Sequence, residues 1–115
     1  MQYRILVEVE AEWLIGANIH KTLEEAQEDL EMAKMDEIPA QNIPEGVENW
    51  EIAEEDLPTV GQGKYRIIYN QKGKWYIDES KYKERNDAVD IIIMLHDEFI
   101  KEGVVKVYVA EEVTQ

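Results

Sequence analysis

Two histidines, a single serine, no cysteine and 26 acidic residues are what this 115-residue chain has available for chemistry. Without cysteine there is no disulfide, no thiolate zinc site and no thiol nucleophile. Ser80 has no histidine and acid following in any hydrolase order, and no nucleophile elbow surrounds it. His96 falls inside the apolar stripe of a predicted helix, beside Ile92, Val89 and Ile100, where a histidine is usually a hydrogen-bonded core residue. His20 lies beyond a predicted hairpin. Neither has a second histidine or a cysteine at ligand spacing, so no transition-metal site is expected. Glu8, Glu10 and Glu12 cluster near a hairpin tip and carry the oxygens a hard cation takes, but no Asp-x-Asp-x-Asp-Gly loop is present. No pair of acids is set apart for glycoside hydrolysis. Gly61-Gln62-Gly63-Lys64 lacks the first glycine and the Ser or Thr of a phosphate loop, and no helix follows it. The residues therefore predict no catalytic centre, no metal and no cofactor, and the chain reads as a non-enzyme.

What remains is charge. The formal net charge is -14, from 26 acids and 12 bases. Residues 1–57 hold 16 acids against Arg4, Lys21 and Lys34, whereas residues 58–115 hold 10 acids against 9 bases. Such a lopsided field repels nucleic acid and membrane surfaces at one end and attracts basic partners there. No apolar run is long enough to span a bilayer, and the N-terminus enters a strand-like run directly, so a soluble cytoplasmic protein is expected.

The elements that would carry these charges repeat. Tyr3-Arg4-Ile5 returns as Tyr65-Arg66-Ile67, and Trp13, Ile15, Lys21, Ala26 and Met32 return as Trp75, Ile77, Lys83, Ala88 and Met94, eight identities at an offset of 62. At an offset of 57, Ile52-Ala53-Glu54-Glu55 matches Val109-Ala110-Glu111-Glu112. A duplicated unit follows. The expected fold is α+β: a tandem repeat of two ββαβ units over residues 1–57 and 58–115, packed as one compact domain. Each antiparallel sheet would be covered by one helix, and the units would be related by pseudo-twofold symmetry.

In each unit a hairpin leads. A three-residue loop, Gln71-Lys72-Gly73, would set Tyr69 against Trp75, Ile67 against Ile77 and Arg66 against Asp78. The equivalent loop Val9-Glu10-Ala11 would set Glu8 against Glu12. Helices are expected from Thr22 to Asp36, with Thr22 and Glu25 as a capping box, and from Glu84 to Lys101 with Asn86 as a possible cap. The second has the wider apolar stripe, Ala88, Val89, Ile91, Ile92, Ile93, Leu95, Phe99 and Ile100. Strands Asn49–Glu54 and Val104–Glu111 close the units, the first reached through a loop, Ile38–Glu48, containing Pro39 and Pro44.

Odd-numbered hairpin residues would face the helices. The even face should then be polar, yet Leu6, Leu14, Ile68, Tyr76 and Tyr108 project from it, so the even faces should pack on each other or on a second chain. A head-to-head arrangement would set Lys64, Arg66, Lys74 and Lys106 against Glu8, Glu12 and Glu51. Homo-oligomerisation through that face or through the helix at 84–101 is a further expectation, and Met32 and Met94 mark a recurring contact surface.

The leading functional reading is a non-catalytic interaction module or small inhibitor. Its acidic first repeat (Glu8, Glu10, Glu12, Glu24, Glu28, Glu31) would engage a basic protein surface. In the sharpest form it imitates nucleic acid against a DNA- or RNA-handling protein, the class to which small acidic inhibitors of restriction or CRISPR nucleases belong. One alternative is nucleic-acid binding by a basic and aromatic face of the second repeat, Arg66, Lys74, Tyr76, Lys106 and Tyr108. Tyr65-Arg66-Ile67-Ile68-Tyr69 followed by Gly73-Lys74-Trp75 resembles the three-stranded arm-type DNA-binding units of phage integrases; no function is taken from that short hairpin pattern. Another alternative is a small molecule held between the repeats.

Overall fold

The computed structural model describes residues 1–35 and 43–113. Strands β1 (Gln2–Val9) and β2 (Glu12–Ile15) form a hairpin, followed by helix α1 (Leu23–Lys34) and strand β3 (Asn49–Glu55). A short β4 (Val60–Gly61) precedes a second hairpin, β5 (Tyr65–Gln71) and β6 (Lys74–Tyr82). Helices α2 (Arg85–Met94) and α3 (His96–Lys101) then lead into β7 (Val104–Glu112). The strands form one sheet in the order β3-β1-β2-β7-β5-β6-β4. Because β3 also pairs with β6, six of them close into a mixed barrel, and β4 is an addition on β6.

Closure overturns the expected pair of separate antiparallel sheets in tandem ββαβ units, each under its own helix. Two parallel pairings, β2 with β7 and β3 with β6, join the hairpins into one continuous wall. The physical cause is the second apolar face of each hairpin. Leu6 and Ile68, which a lone sheet would leave facing water, instead share a core with Ile15, Ala53, Ile77 and Ala110 inside the barrel. Curling also pairs strand edges that two open sheets would expose.

Both hairpin tips are shorter than expected. Glu10 and Ala11 have φ of 52° and 66°, and Lys72 and Gly73 have 54° and 82°. Two consecutive left-handed residues make a type I′ turn, whose twist matches that of the strands it joins. With a two-residue loop in place of three, the second strand slides by one residue and its two faces exchange. Leu6 therefore lies opposite Ile15, Ile68 opposite Ile77, and Asn70 opposite Trp75. Trp13, Ile15, Trp75 and Ile77 point into the lumen and not under the helices. Glu8 sits across from Trp13, and Glu12 across from Val9, so the expected Glu8–Glu12 pair does not form. Leu14 and Tyr76 move to the outer face by the same slip.

Two outer clusters hold the helices. Ile5 and Val7 of β1 pack on Leu30 of α1, and Ile67 and Val109 pack on Ala88 of α2. Thr22 caps α1 as expected, accepting from the Glu25 amide at 3.1 Å. The single helix expected over 84–101 is broken at Leu95, and Glu84 rather than Asn86 stands at its N-terminal cap position. Ile93, Met94 and Ile100 remain exposed, so the wide apolar stripe is only partly covered within this chain. Gly63, at φ 127°, lets the segment before β5 lie against β6, since a Cβ there would come within 2.0 Å of the Tyr82 carbonyl oxygen. The expected helix end at Asp36 and the loop residue Pro39 fall outside the described residues.

Candidate functional site

The barrel has two unlike ends. At one, Arg4 of β1 and Arg66 of β5, 5% and 0% exposed, face Glu55 of β3 and Glu112 of β7. Arg66 Nη1 lies 2.7 Å from Glu55 and 3.3 Å from Glu112, and Arg4 Nη1 lies 3.2 Å from each. The remaining donors are also used: Arg4 gives two hydrogen bonds to the Gly16 carbonyl, and Arg66 donates to the carbonyls of Ser80 and Asp78. Arg4 and Arg66, Glu55 and Glu112, and Gly16 and Asp78 are partners at the offsets of the sequence repeat. Burial by itself would raise the Glu55 pKa. Hydrogen bonds from Gln2 and Arg66 and the charges of both arginines outweigh it and hold the carboxyl below its ordinary range. With every guanidinium nitrogen engaged, this cluster is a structural plug.

At the other end, Trp13, Trp75 and Tyr108 close the lumen, with ring centroids 5.0–6.2 Å apart. Offset and tilted rings at such distances add to the apolar area they bury.

Of the residues expected to engage a basic surface, Glu24, Glu28 and Glu31 all lie exposed on the solvent side of α1, together with Glu25. Opposite them on the helix, Ala26, Leu30 and Ala33 are buried. Glu10 and Glu12 are exposed at the β1–β2 tip, whereas Glu8 accepts from the Asn49 side chain. The three hairpin acids are thus parted by the register. Among the described residues no group of three or more His, Cys, Asp or Glu is placed to hold a metal ion.

The expected basic and aromatic face of Arg66, Lys74, Tyr76, Lys106 and Tyr108 is only partly assembled. Arg66 is inside the plug and Tyr76 stacks on Tyr69 outside the barrel, whereas Lys74 beside Trp75, Lys106 opposite Asn70, and Tyr108 are exposed at the aromatic end. The expected head-to-head ion pairing is likewise replaced: Lys64 meets Glu111 at 2.6 Å, and Arg66 meets Glu55 and Glu112. Register and barrel closure account for both corrections.

The histidines exchange the parts expected of them. His96 is exposed at the break between α2 and α3. His20 is 5% exposed, its Nε2 against the Asp29 carboxylate and its Nδ1 3.3 Å from the Tyr3 carbonyl oxygen. Both ring nitrogens are occupied in tying α1 to β1.

A cleft of about 190 Å³ opens beside the α1 surface, where β3 parts from the β5–β6 tip. Leu23, Ile52 and Trp75 line it, with Glu51, Glu54 and Lys74. The plug was not foreseen from the sequence, nor was the half-buried Asp56 beside Glu55. Burial raises the Asp56 pKa, and the charges of Asp78, Glu54 and Glu79 raise it further, against a hydrogen bond from Tyr69. The recurrence of Arg4 and Glu55 as Arg66 and Glu112 at the offsets of the repeat was the available signal for the plug. No family model, curated protein or solved structure matches this chain.

Proposed function

We propose that this protein is a non-catalytic interaction module whose α1 surface engages a basic protein surface, in its sharpest form one built to hold nucleic acid. The observation that carries this reading is the row of exposed carboxylates on α1. Glu24, Glu25, Glu28 and Glu31 are exposed, and the only cation near them in the helix is Lys34, 4.0 Å from Glu31. At the rise of an α-helix these four charges span about 10.5 Å, or roughly one per 3.5 Å. A single DNA strand carries one charge per about 3.4 Å of axis, so the line densities agree. The plug adds to the case, because it uses Arg4 and Arg66 on Glu55 and Glu112 and leaves 24 acids and 10 bases to set the surface field.

Competition tests it directly. The chain should displace duplex DNA from at least one member of a panel of restriction and CRISPR nucleases, with an affinity that falls steeply as salt rises. The variant E24Q/E25Q/E28Q/E31Q should lose that displacement while keeping the parent circular dichroism. Displacement by the parent and the variant at equal concentrations would sink the proposal, as would no displacement from any member at low salt.

A further inference from the structure

We infer that the groove between α2–α3 and the outer face of β5 and β6 is a binding site for a small organic cation, an ammonium or guanidinium group on an aliphatic stem. This site lies away from α1 and does not depend on the reading above.

The groove encloses about 190 Å³. That is below the range of drug-sized pockets and suits a single side-chain-sized ligand. Ile91, Leu95 and Phe99 form its apolar floor, at helical spacing of four residues. Tyr69 stands on the sheet side, its ring centroid 6.2 Å from that of Phe99. These groups offer methylene contact and two aromatic rings beside a cation, one face of Tyr69 being taken by Tyr76.

Three carboxylates, Asp78, Glu98 and Glu102, stand around this apolar floor. No lysine or arginine nitrogen lies within 4.0 Å of any of them among the described residues. Glu98 of α3 and Glu102 at its C-cap are exposed at the rim of the groove. The neighbouring wall reports the same negative field. Burial, with Asp78, Glu54 and Glu79, raises the Asp56 pKa, and burial with Asp56 and Asp78 raises that of the Tyr69 phenol.

The shape separates an organic cation from a metal ion. Among the described residues no three acids converge closely enough to share a metal, so the carboxylates surround a volume and not a point. A bare divalent ion would also leave the apolar floor uncovered, whereas an alkyl stem covers it and places its charged head at the rim.

Agmatine, which carries both head groups on a four-carbon stem, is the probe. It would be titrated calorimetrically at low salt, with the Tyr69 and Phe99 ring protons followed by NMR. Parallel titrations use N-acetyl-Gly-Arg-Gly-amide, magnesium chloride at matched ionic strength, and n-pentanol. Binding of a cation that shifts both rings, and that weakens about tenfold or more in E98Q/E102Q, supports the site. Glu98 and Glu102 are exposed, and Gln71 donates to the Glu102 backbone carbonyl rather than its side chain, so this variant keeps the fold. Tighter binding of agmatine than of the peptide assigns a free ligand; the reverse assigns the side chain of a partner protein. The α1 variant E24Q/E25Q/E28Q/E31Q should bind agmatine like the parent. The site is refuted if neither cation binds at millimolar concentration, if magnesium or pentanol binds as well, or if the α1 and α3 variants lose affinity equally.

Discussion

Glu55 and Asp56 are consecutive residues with carboxylates in opposite surroundings. Glu55 points into the lumen and accepts from Arg4, Arg66 and Gln2. Asp56 lies among Asp78, Glu54 and Glu79, with the Tyr69 hydroxyl as its donor. Burial pushes both pKa values up. At Glu55 the donors and two guanidiniums reverse the effect; at Asp56 the neighbouring acids add to it. The difference shows that neighbouring charge, and not burial alone, decides the direction in which a carboxyl's pKa moves. On the readings proposed above, the exposed acids of α1 and of the α3 groove are held for a cationic partner, and Asp56 lies in the same negative field.

The largest way to disturb this contrast is Arg66→Met. It strips one cation from Glu55 and Glu112 and leaves the carbonyls of Ser80 and Asp78 without their donor. Breaking a buried pair from one side costs about 3–5 kcal/mol. Urea denaturation should show a lowered midpoint with an unchanged slope. A loss below about 1 kcal/mol would place Glu55 in surroundings no different from those of a surface acid.

Acid comes next in size. A carboxyl whose folded-state pKa lies below its unfolded value contributes stability that is fully present above the unfolded pKa, and that contribution disappears as pH falls through the folded pKa. For Glu55 the ordinary value is 4.5 and the shift is downward. The parent should therefore lose stability as pH drops below about 4.5, and Glu55→Gln should flatten that part of the profile. Urea midpoints from neutral pH to pH 3 measure it. Parallel profiles for parent and variant would remove Glu55 from the acid response.

Most element positions were legible in the sequence, but their arrangement was not: a closed mixed barrel stands where two helix-covered sheets were expected. Strand and helix positions follow from alternation and from the Thr22 cap, and the internal match of Arg4 with Arg66 was plain. The hairpin register was not. Gly73 suits a three-residue loop with a bulge as well as a type I′ turn, and Ala11 at φ 66° gives no hint of a left-handed residue. One residue of slip then decides whether Trp13 and Trp75 lie under helices or inside a barrel. Barrel closure rests on the parallel β3–β6 and β2–β7 pairings, only three residue pairs each, between segments far apart in sequence. The outer groove was hidden for a different reason: its lining comes from α2–α3 and from β5–β6, and no sequence pattern brings these together.

The smallest expected effect tests the other half of the contrast. Asp56→Asn removes a charge that its neighbours disfavour and keeps a carbonyl oxygen to accept from Tyr69. Asp56 is only half-buried, so solvent screening limits the gain to about 0.5–1 kcal/mol at neutral pH. The sign follows from linkage: an acid with a raised folded-state pKa takes up its proton more readily when folded, so the parent gains stability as pH falls through that pKa. The advantage of the asparagine should accordingly shrink on acidification, opposite in direction to the Glu55 effect one residue earlier. Salt should shrink it too, by screening Asp78, Glu54 and Glu79. If Asp56→Asn instead destabilised the protein at neutral pH and the loss grew at low salt, Asp56 would be answering a cation. The outer acids would then belong to an internal charge network like the plug, and their reservation for a partner would have no support.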